Sequence, residues 1–271
     1  MEESKIAWTD HTFNPWIGCS HESEGCRNCY AETQNAHYHW NGGAWGPGAP
    51  RKITSDDNWR NPVRWDRAAQ AHGKRAKVFC ASLADVFDPE APAEARVRLF
   101  ELILQTPNLD WLLLTKRPKN FDAMLPANWA HFHNVWLGVS CENRKSGYPR
   151  VDILRRTPAV VRFISAEPLL EDISDVNLDG IDWVICGGES GWHSREFQLE
   201  WARALRDRCT AAGKKYFVKQ LGANPTESEV PVPLVHITTN KKGKEIRIAD
   251  LHATDVSKFP TDLQIRTCPT R

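Results

Sequence analysis

With 271 residues, 41% of them hydrophobic and 25% charged, the chain has ordinary globular composition and enough apolar side chains to bury a core. Its formal net charge of +1 gives no global attraction to nucleic acid or anionic membrane, so either partner would need a local patch. No run is apolar over the length that a bilayer span needs, and the start Met1-Glu2-Glu3-Ser4-Lys5 has no apolar signal region. A cytoplasmic protein with no membrane partner is expected, its eight cysteines reduced.

In chain order, a first short strand is expected around Thr12 to Ile17. It leads into the loop Cys19-Ser-His-Glu-Ser-Glu-Gly-Cys26-Arg-Asn-Cys29-Tyr30. Asn41 to Pro50 reads as a loop by its Gly and Pro content, within an insertion over 41–57 that is either a lid or a plain surface excursion. Six nearly continuous apolar runs follow, at Lys77–Ser82, Asp110–Lys116, Val135–Ser140, Val160–Ser165, Ile181–Gly187 and Tyr216–Gln220. Continuous apolarity predicts strands buried on both faces, as in a parallel sheet. Helical recurrence of apolar residues marks Pro92 to Gln105 and Glu196 to Ala212, the second stopped by Gly213; Asn120 to Leu125 and Ser146 to Arg156 are shorter. Alternating strands and helices predict an α/β fold, a partial or closed parallel (β/α) barrel over 1–222. Residues 223–271 form a C-terminal extension packed on it. Within that extension Val230 to Ile248 reads as a β-hairpin around Asn240-Lys241-Lys242-Gly243, whose Lys241, Lys242, Lys244 and Arg247 make a basic patch.

In such a barrel the chemistry lies at the C-terminal ends of the strands. These ends carry Ser82 and Asp85; Thr115, Lys116 and Arg117; Ser140, Glu142 and Asn143; Ser165 and Glu167; Gly187, Gly188, Glu189 and Ser190; Lys219 and Gln220. The cysteine loop follows the first strand and falls on the same rim. Its Cys-x₆-Cys-x₂-Cys spacing supplies three thiol ligands. With a fourth ligand from His11, His21, His37 or His39, it would make a structural zinc site. Without one, it suits a 4Fe–4S cluster with one open iron. Spacing alone leaves both open.

The loop resembles that of the radical S-adenosylmethionine (SAM) superfamily, with a longer first gap and with the aromatic Tyr30 after the third cysteine instead of before it. A resemblance over nearly the whole chain is to a phage-associated three-Cys-motif family that is radical SAM-like. The pieces that carry it include Ile6-Ala7-Trp8-Thr9-Asp10, Asn14-Pro15, Cys26-Arg27-Asn28-Cys29-Tyr30-Ala31-Glu32, Ser82-Leu83-Ala84-Asp85-Val86-Phe87, Leu114-Thr115-Lys116-Arg117-Pro118, Gly138-Val139-Ser140-Cys141-Glu142-Asn143, Ser165-Ala166-Glu167-Pro168-Leu169-Leu170 and Gly187-Gly188-Glu189-Ser190-Gly191. The resemblance implies a partial barrel, a 4Fe–4S cluster and SAM as cofactors, and an enzyme that cleaves SAM with an electron from an external donor.

Under that resemblance Cys19, Cys26 and Cys29 are the metal ligands. Ser82 and Asp85 would meet the SAM amino group, Lys116 or Arg117 its carboxylate, and Ser140, Glu142 and Asn143 its ribose. Gly187 and Gly188 allow close backbone approach to a ligand. Glu167 and Glu189 are candidates for contacts to SAM or substrate, and Cys141 for a thiol that quenches a radical. Cys80, Cys186 and Cys209 sit in apolar runs and read as core, Cys268 as an exposed tail thiol. The substrate is unknown, with a nucleotide or nucleic acid as the candidate and a protein partner as a further one. The alternative is a zinc-stabilised protein that binds nucleic acid or a partner without radical chemistry.

Overall fold

The computed structural model describes residues 4, 6–228, 230–231, 235–239, 245–249 and 254–270. In chain order the elements are β1 (His11–Thr12), β2 (Trp16–Ile17), α1 (Tyr30–Tyr38), β3 (Lys52–Ile53), α2 (Asp56–His72), β4 (Ala76–Cys80), α3 (Ala93–Gln105), β5 (Leu109–Thr115), α4 (Phe121–Met124) and β6 (Val135–Ser140). After these come α5 (Arg144–Arg156), β7 (Val161–Ala166), β8 (Trp183–Gly187), β9 (Phe197–Gln198), α6 (Leu199–Ala211), β10 (Lys215–Gln220), β11 (Pro225–Glu227), β12 (Val230–Pro231), β13 (Val235–Thr239) and β14 (Glu245–Ala249).

Seven strands make one sheet in the order β1-β4-β5-β6-β7-β8-β10, and every pairing in it is parallel. Each strand lies beside the next one in the chain, so the sheet winds in a single direction and forms a partial parallel barrel. The six apolar runs are the six longer strands, each displaced by two residues or fewer. The expected first strand divides instead. His11–Thr12 joins the sheet, whereas Trp16–Ile17 pairs antiparallel with Lys52–Ile53 at the foot of the insertion.

Side chains of successive strand residues alternate between two apolar layers. On the convex face Trp111, Leu113, Leu137, Val139, Ile164, Val184 and Val218 pack with Leu99, Ile103, Leu154 and Leu205 of the helices. On the concave face Phe79, Leu112, Trp136, Phe163, Trp183 and Phe217 fill the barrel interior, with Trp8 among them. Trp183 meets Trp8, Trp136 and Phe217 nearly edge-to-face, at 84°, 87° and 84° between ring planes. Edge-to-face contact is favourable for aromatic quadrupoles, and ring edges, N–H included, then meet π faces. The indole nitrogens of Trp8, Trp136 and Trp183 are buried in this layer without a hydrogen-bond partner. Gly138 makes room for this layer, since a Cβ there would stand 2.3 Å from the Phe163 ring.

Two helices lie where no apolar period announced them. α2 begins inside the expected insertion, capped by Ser55 Oγ accepting from Asn58 N and ended by Gly73 at φ 62°. α1 starts directly after Cys29 and ends at His39 in the left-handed region. The Gly- and Pro-rich stretch is bonded down: Gly46 N donates to Cys19 O (3.0 Å), and Arg51 Nη1 donates to Gly46 O and Ala49 O. Past β10 the chain returns. Phe259 and Leu263 enter the core, Val218 N donates to Ile265 O, and Thr267 N to Tyr216 O. This return covers the free edge of the sheet, a strand edge otherwise open to pairing. β13 and β14 pair antiparallel as a hairpin. The turn between them lies outside the described residues, and with it Lys241, Lys242 and Lys244 of the basic patch.

Candidate functional site

The cysteine loop crosses the C-terminal rim of the sheet and is tied to four of its strand ends. After β4, Ser82 O accepts from Tyr30 Oη, and Leu83 O from Gly18 N. After β5, Arg117 Nη1 donates to Cys19 Sγ (3.4 Å) and Nη2 to Ser20 O (2.7 Å), while Nε lies 3.4 Å from Glu22 Oε2. After β6, Glu142 Oε1 accepts from Ser23 Oγ (2.9 Å). Gly25 packs so closely on that carboxylate that a Cβ would stand 2.3 Å from it. After β8, Glu189 Oε2 and His193 O both accept from Asn28 Nδ2, at 2.8 and 2.7 Å.

The ties at β5, β6 and β8 end on ion pairs with a buried carboxylate. Asp85 accepts from Phe87 N, Thr115 Oγ1, Lys116 N and Arg117 Nη1. Four donors on two carboxylate oxygens engage all its acceptor sites. Glu142 lies between Lys116 Nζ (3.3 Å) and Arg150 Nη1 (2.6 Å) with no exposed surface. Burial works against its ionisation, but Lys116 and Arg150 prevail and hold the carboxyl below its usual range. Burial would likewise lower the Lys116 ammonium, and Glu142 raises it above its ordinary value. Glu189 follows the same rule, held low against burial by hydrogen bonds from Arg195 and Asn28.

The interior-facing ends of β7, β8 and β10 behave differently. Ser165 Oγ donates to Glu167 Oε2 (3.1 Å), and Glu167 Oε1 lies 2.8 Å from Lys219 Nζ. This contact is an ion pair whose angle is too bent for a hydrogen bond, so Oε1 has charge compensation without a directed donor. Gly187 borders the pair, and a Cβ there would stand 3.1 Å from Glu167 Oε1. Ser140, facing the same interior, accepts from Lys116 Nζ (3.0 Å).

The structure therefore brings most of the expected rim residues together, but in other roles. Asp85, Arg117 and Glu142 have their polar atoms engaged by the protein, which leaves no free acceptor or fork for SAM. Ser82 is held by Asn14 and Tyr30. Asn143 caps α5 through Ser146 N. Gly188 is required by packing, since a Cβ would stand 2.2 Å from Leu221 O. Glu189 is a clamp between two loops, not a free carboxylate. Cys141 is fully buried against Gly147 of α5, with burial raising its thiol to about 12, so it cannot meet a substrate at the rim. Cys80, Cys186 and Cys209 are core, whereas Cys268 is half-buried against the interior aromatic layer instead of exposed.

Sequence reasoning missed Ser23, Asn28, Arg51 and Arg150 as members of the site. Arg51 is buried with Asp88 (2.8 Å) and donates to Ser20 Oγ (2.5 Å). None of them carries a local signal: Arg150 lies in α5 and reaches back to Glu142, ahead of the helix start, eight residues away.

Cys19, Cys26 and Cys29 are all free thiols of intermediate burial. Burial raises the Cys19 thiol to about 12; Asp85 adds to this and Arg117 opposes it. Among the described residues no group of three or more His, Cys, Asp or Glu side chains converges on one metal position. The nearby histidines are placed elsewhere: His11 stacks on Trp65 (4.3 Å, 3°), His21 pairs with Glu32 (2.6 Å) and His37 packs on Tyr38.

Fold and site together define an open (β/α) barrel with a three-cysteine loop fixed across its C-terminal rim. The chain belongs to the family described as "Protein of unknown function (DUF5131)", whose model matches residues 3–256. No curated protein matches the sequence. Similar solved structures include spore photoproduct lyase complexed with dinucleoside spore photoproduct, at 15% identity and TM-score 0.46. That match covers 76% of this chain and 62% of the lyase chain, so this chain spans less than two thirds of it. A cysteine-substituted mutant of the lyase matches at 14% identity and TM-score 0.47, over 91% of this chain and 70% of that one. A double mutant with bound AdoMet and dinucleoside spore photoproduct matches at 13% and 0.48, over 92% and 70%. Among the described residues no helix is long and apolar enough to cross a membrane.

Proposed function

We propose that the chain is a radical SAM enzyme in which Cys19, Cys26 and Cys29 hold a 4Fe–4S cluster and the open iron receives SAM. When bound, the cluster supplies an electron from an external donor that cleaves SAM to a 5′-deoxyadenosyl radical, which takes hydrogen from the substrate. The observation that carries this reading is the attachment of the cysteine loop to the ends of β4, β5, β6 and β8, at the rim where a parallel barrel places its chemistry.

The donor set fits a cluster better than a single ion. A structural zinc site needs four ligands at about 2.0–2.3 Å from one centre. His11, His21 and His37 have other partners, so none of the three is placed as a fourth zinc ligand. A cluster takes each thiolate to a different iron and needs no shared centre. Neighbouring carboxylates are paired with Arg117, Lys116, Arg150 and Arg195, so they do not compete as iron ligands. Arg117 orients Cys19 and donates to its sulfur, a contact that tunes cluster potential.

The two candidate ammoniums for the SAM carboxylate are Lys116 and Lys219, with Ser140, Ser165, Glu167 and Gly187 beside them on the interior rim. The apolar layer below, from Phe79 to Phe217, closes the floor and keeps water out of the barrel. The substrate class is a nucleotide or nucleic acid, in keeping with the phage association that the family resemblance implies.

Anaerobic purification tests the reading. The protein should carry iron and sulfide near four each per chain, an expectation from cluster composition, and should form 5′-deoxyadenosine from SAM under strong reduction. An intact cluster that never yields 5′-deoxyadenosine would leave a cluster-binding barrel without SAM chemistry.

A further inference from the structure

Trp192 is the most exposed large apolar side chain of the described residues, at 81%, while no other tryptophan of the chain is classed as exposed. It sits in a turn where Gly191 takes φ 100° and Ser194 N bonds back to Gly191 O. Both flanks of that turn are fastened to the cysteine loop. His193 O accepts from Asn28 Nδ2, and Arg195 joins Glu189 to Glu24 O. The turn is thus held against the cysteine loop at Asn28 and Glu24, and its indole stays 81% exposed. An exposed indole at a fixed place contributes little to folding and offers a π face to a ligand.

The charges around it have a pattern. Acidic residues of the cysteine loop are paired with cations, Glu22 with Arg117 and Lys119 and Glu24 with Arg195, and Glu32 in the first turn of α1 is hydrogen-bonded to His21. Arg27, next to Asn28 and exposed, has no ion pair among the described residues. Tyr30, on the other side of Cys29, is 49% exposed. Arg27 and Tyr30 thus stand on either side of Asn28 and Cys29, and Asn28 carries the bond to the Trp192 turn.

We infer that Trp192 and Arg27 form a recognition platform for single-stranded nucleic acid, with Trp192 stacking on an unpaired base and Arg27 meeting a phosphate. Stacking on aromatic side chains joined to backbone cations is how proteins hold single strands. Insertion into a membrane would need apolar neighbours, and Trp192 stands among Ser190, Gly191, His193 and Ser194. The inference rests on the proposed function for its location, because it places the bound strand beside the cluster ligands. It does not rest on SAM cleavage.

The test is fluorescence anisotropy with a labelled single-stranded DNA dodecamer and the RNA of the same sequence, on anaerobically purified full-length protein. Trp192→Ala should weaken binding of at least one strand about tenfold or more, the range expected for losing one stacked base. Trp192→Phe should retain most of the affinity. Arg27→Gln should weaken binding and reduce the salt slope by about one phosphate contact, whereas Trp192→Ala leaves the slope unchanged. An unchanged melting temperature in Trp192→Ala excludes misfolding as the cause. Affinity of both strands that is independent of Trp192, or no binding at all, overturns the inference. Formation of 5′-deoxyadenosine, measured separately, keeps the two failures apart. With turnover of SAM but no Trp192-dependent binding, only the platform falls; with Trp192-dependent binding but no turnover, only the radical chemistry does.

Discussion

At the rim ends of β4, β5, β6 and β8, Asp85, Arg117, Glu142 and Glu189 hold or brace the cysteine loop, whereas at β7 and β10 the interior-facing Ser165, Glu167 and Lys219 meet one another. The first group is buried: Asp85 is 5% exposed, Arg117 3% and Glu142 none. The second group is partly exposed, with 12% of the Glu167 side chain and 26% of the Lys219 side chain open. Burying charge is costly unless it is paired and hydrogen-bonded, and what it yields is fixed geometry. One side of the rim therefore fixes three thiols in place, and the other keeps chargeable groups within reach of a ligand.

The largest effect expected from this division is on metal content. Cys26→Ala should lose essentially all cluster iron while the barrel keeps its fold, since Cys26 lies on the loop and outside the core. Iron and sulfide analysis with circular dichroism checks both halves of that statement. Next comes Arg117→Met, which leaves Asp85 buried without its cation. Removing one partner of a buried pair costs about 3–5 kcal/mol, read as a lowered melting temperature, and the double variant with Asp85→Asn should recover part of it. If Arg117→Met alone melts like the wild type, the ion pair does not organise the loop.

Gly25→Ala is a smaller perturbation of the same side. Its Cβ would fall within 2.3 Å of the Glu142 carboxylate, and relief of such overpacking costs about 1–3 kcal/mol. Iron should be released faster on chelation from this variant. Lys219→Met probes the other side and should lower melting less than Arg117→Met does, because Glu167 and Lys219 are more exposed than Asp85 and Arg117, while raising the KM for SAM about tenfold if the ammonium meets the SAM carboxylate, an ion-pair loss of about 1.4 kcal/mol. Equal KM values would move that role to Lys116.

The dependence on pH separates the two sides further. The Glu142 carboxyl is held below its ordinary value of 4.5. Its contribution is fully present above that value and is lost as pH falls through the depressed one. The Lys116 ammonium is raised above 10.5, so its share is present below that value and lost as pH climbs through the raised one. Attachment of the loop should therefore be level across neutral pH and weaken only at acid and strongly alkaline extremes. Hydrogen exchange of the loop amides from pH 5 to 9 should show no inflection, and one near pH 7 would assign its stability to some other group.

Much of the barrel was legible because a parallel strand buried on both faces leaves a continuous apolar run, as Leu109–Thr115 and Val135–Ser140 do. The helix Asp56–His72 was not. Pro62 and a strongly polar sequence hide its period, though Ser55 ahead of Asp56 and Asp57, and Gly73 behind, are cap signals that mark both ends. The rim residues were legible as a set, because each stands at the end of an apolar run. Their partners were not. Arg117 reaches Cys19 across 98 positions and Ser23 reaches Glu142 across 119, and no local pattern encodes contacts at such separations. The same gap made Asp85, Arg117 and Glu142 read as cofactor ligands, since a strand-end charge looks alike whether it faces a ligand or another loop.

The central claim is that three cysteines on a loop fixed to the barrel rim hold a cluster that acts on SAM. Its most direct test is the anaerobically prepared protein incubated with SAM and a strong reductant, with 5′-deoxyadenosine and bound metal measured together. The account predicts brown protein, iron matched by sulfide, and 5′-deoxyadenosine that disappears in Cys19→Ala, Cys26→Ala and Cys29→Ala alike. Colourless protein holding one tightly bound zinc through the same cysteines, with SAM left intact, would contradict it.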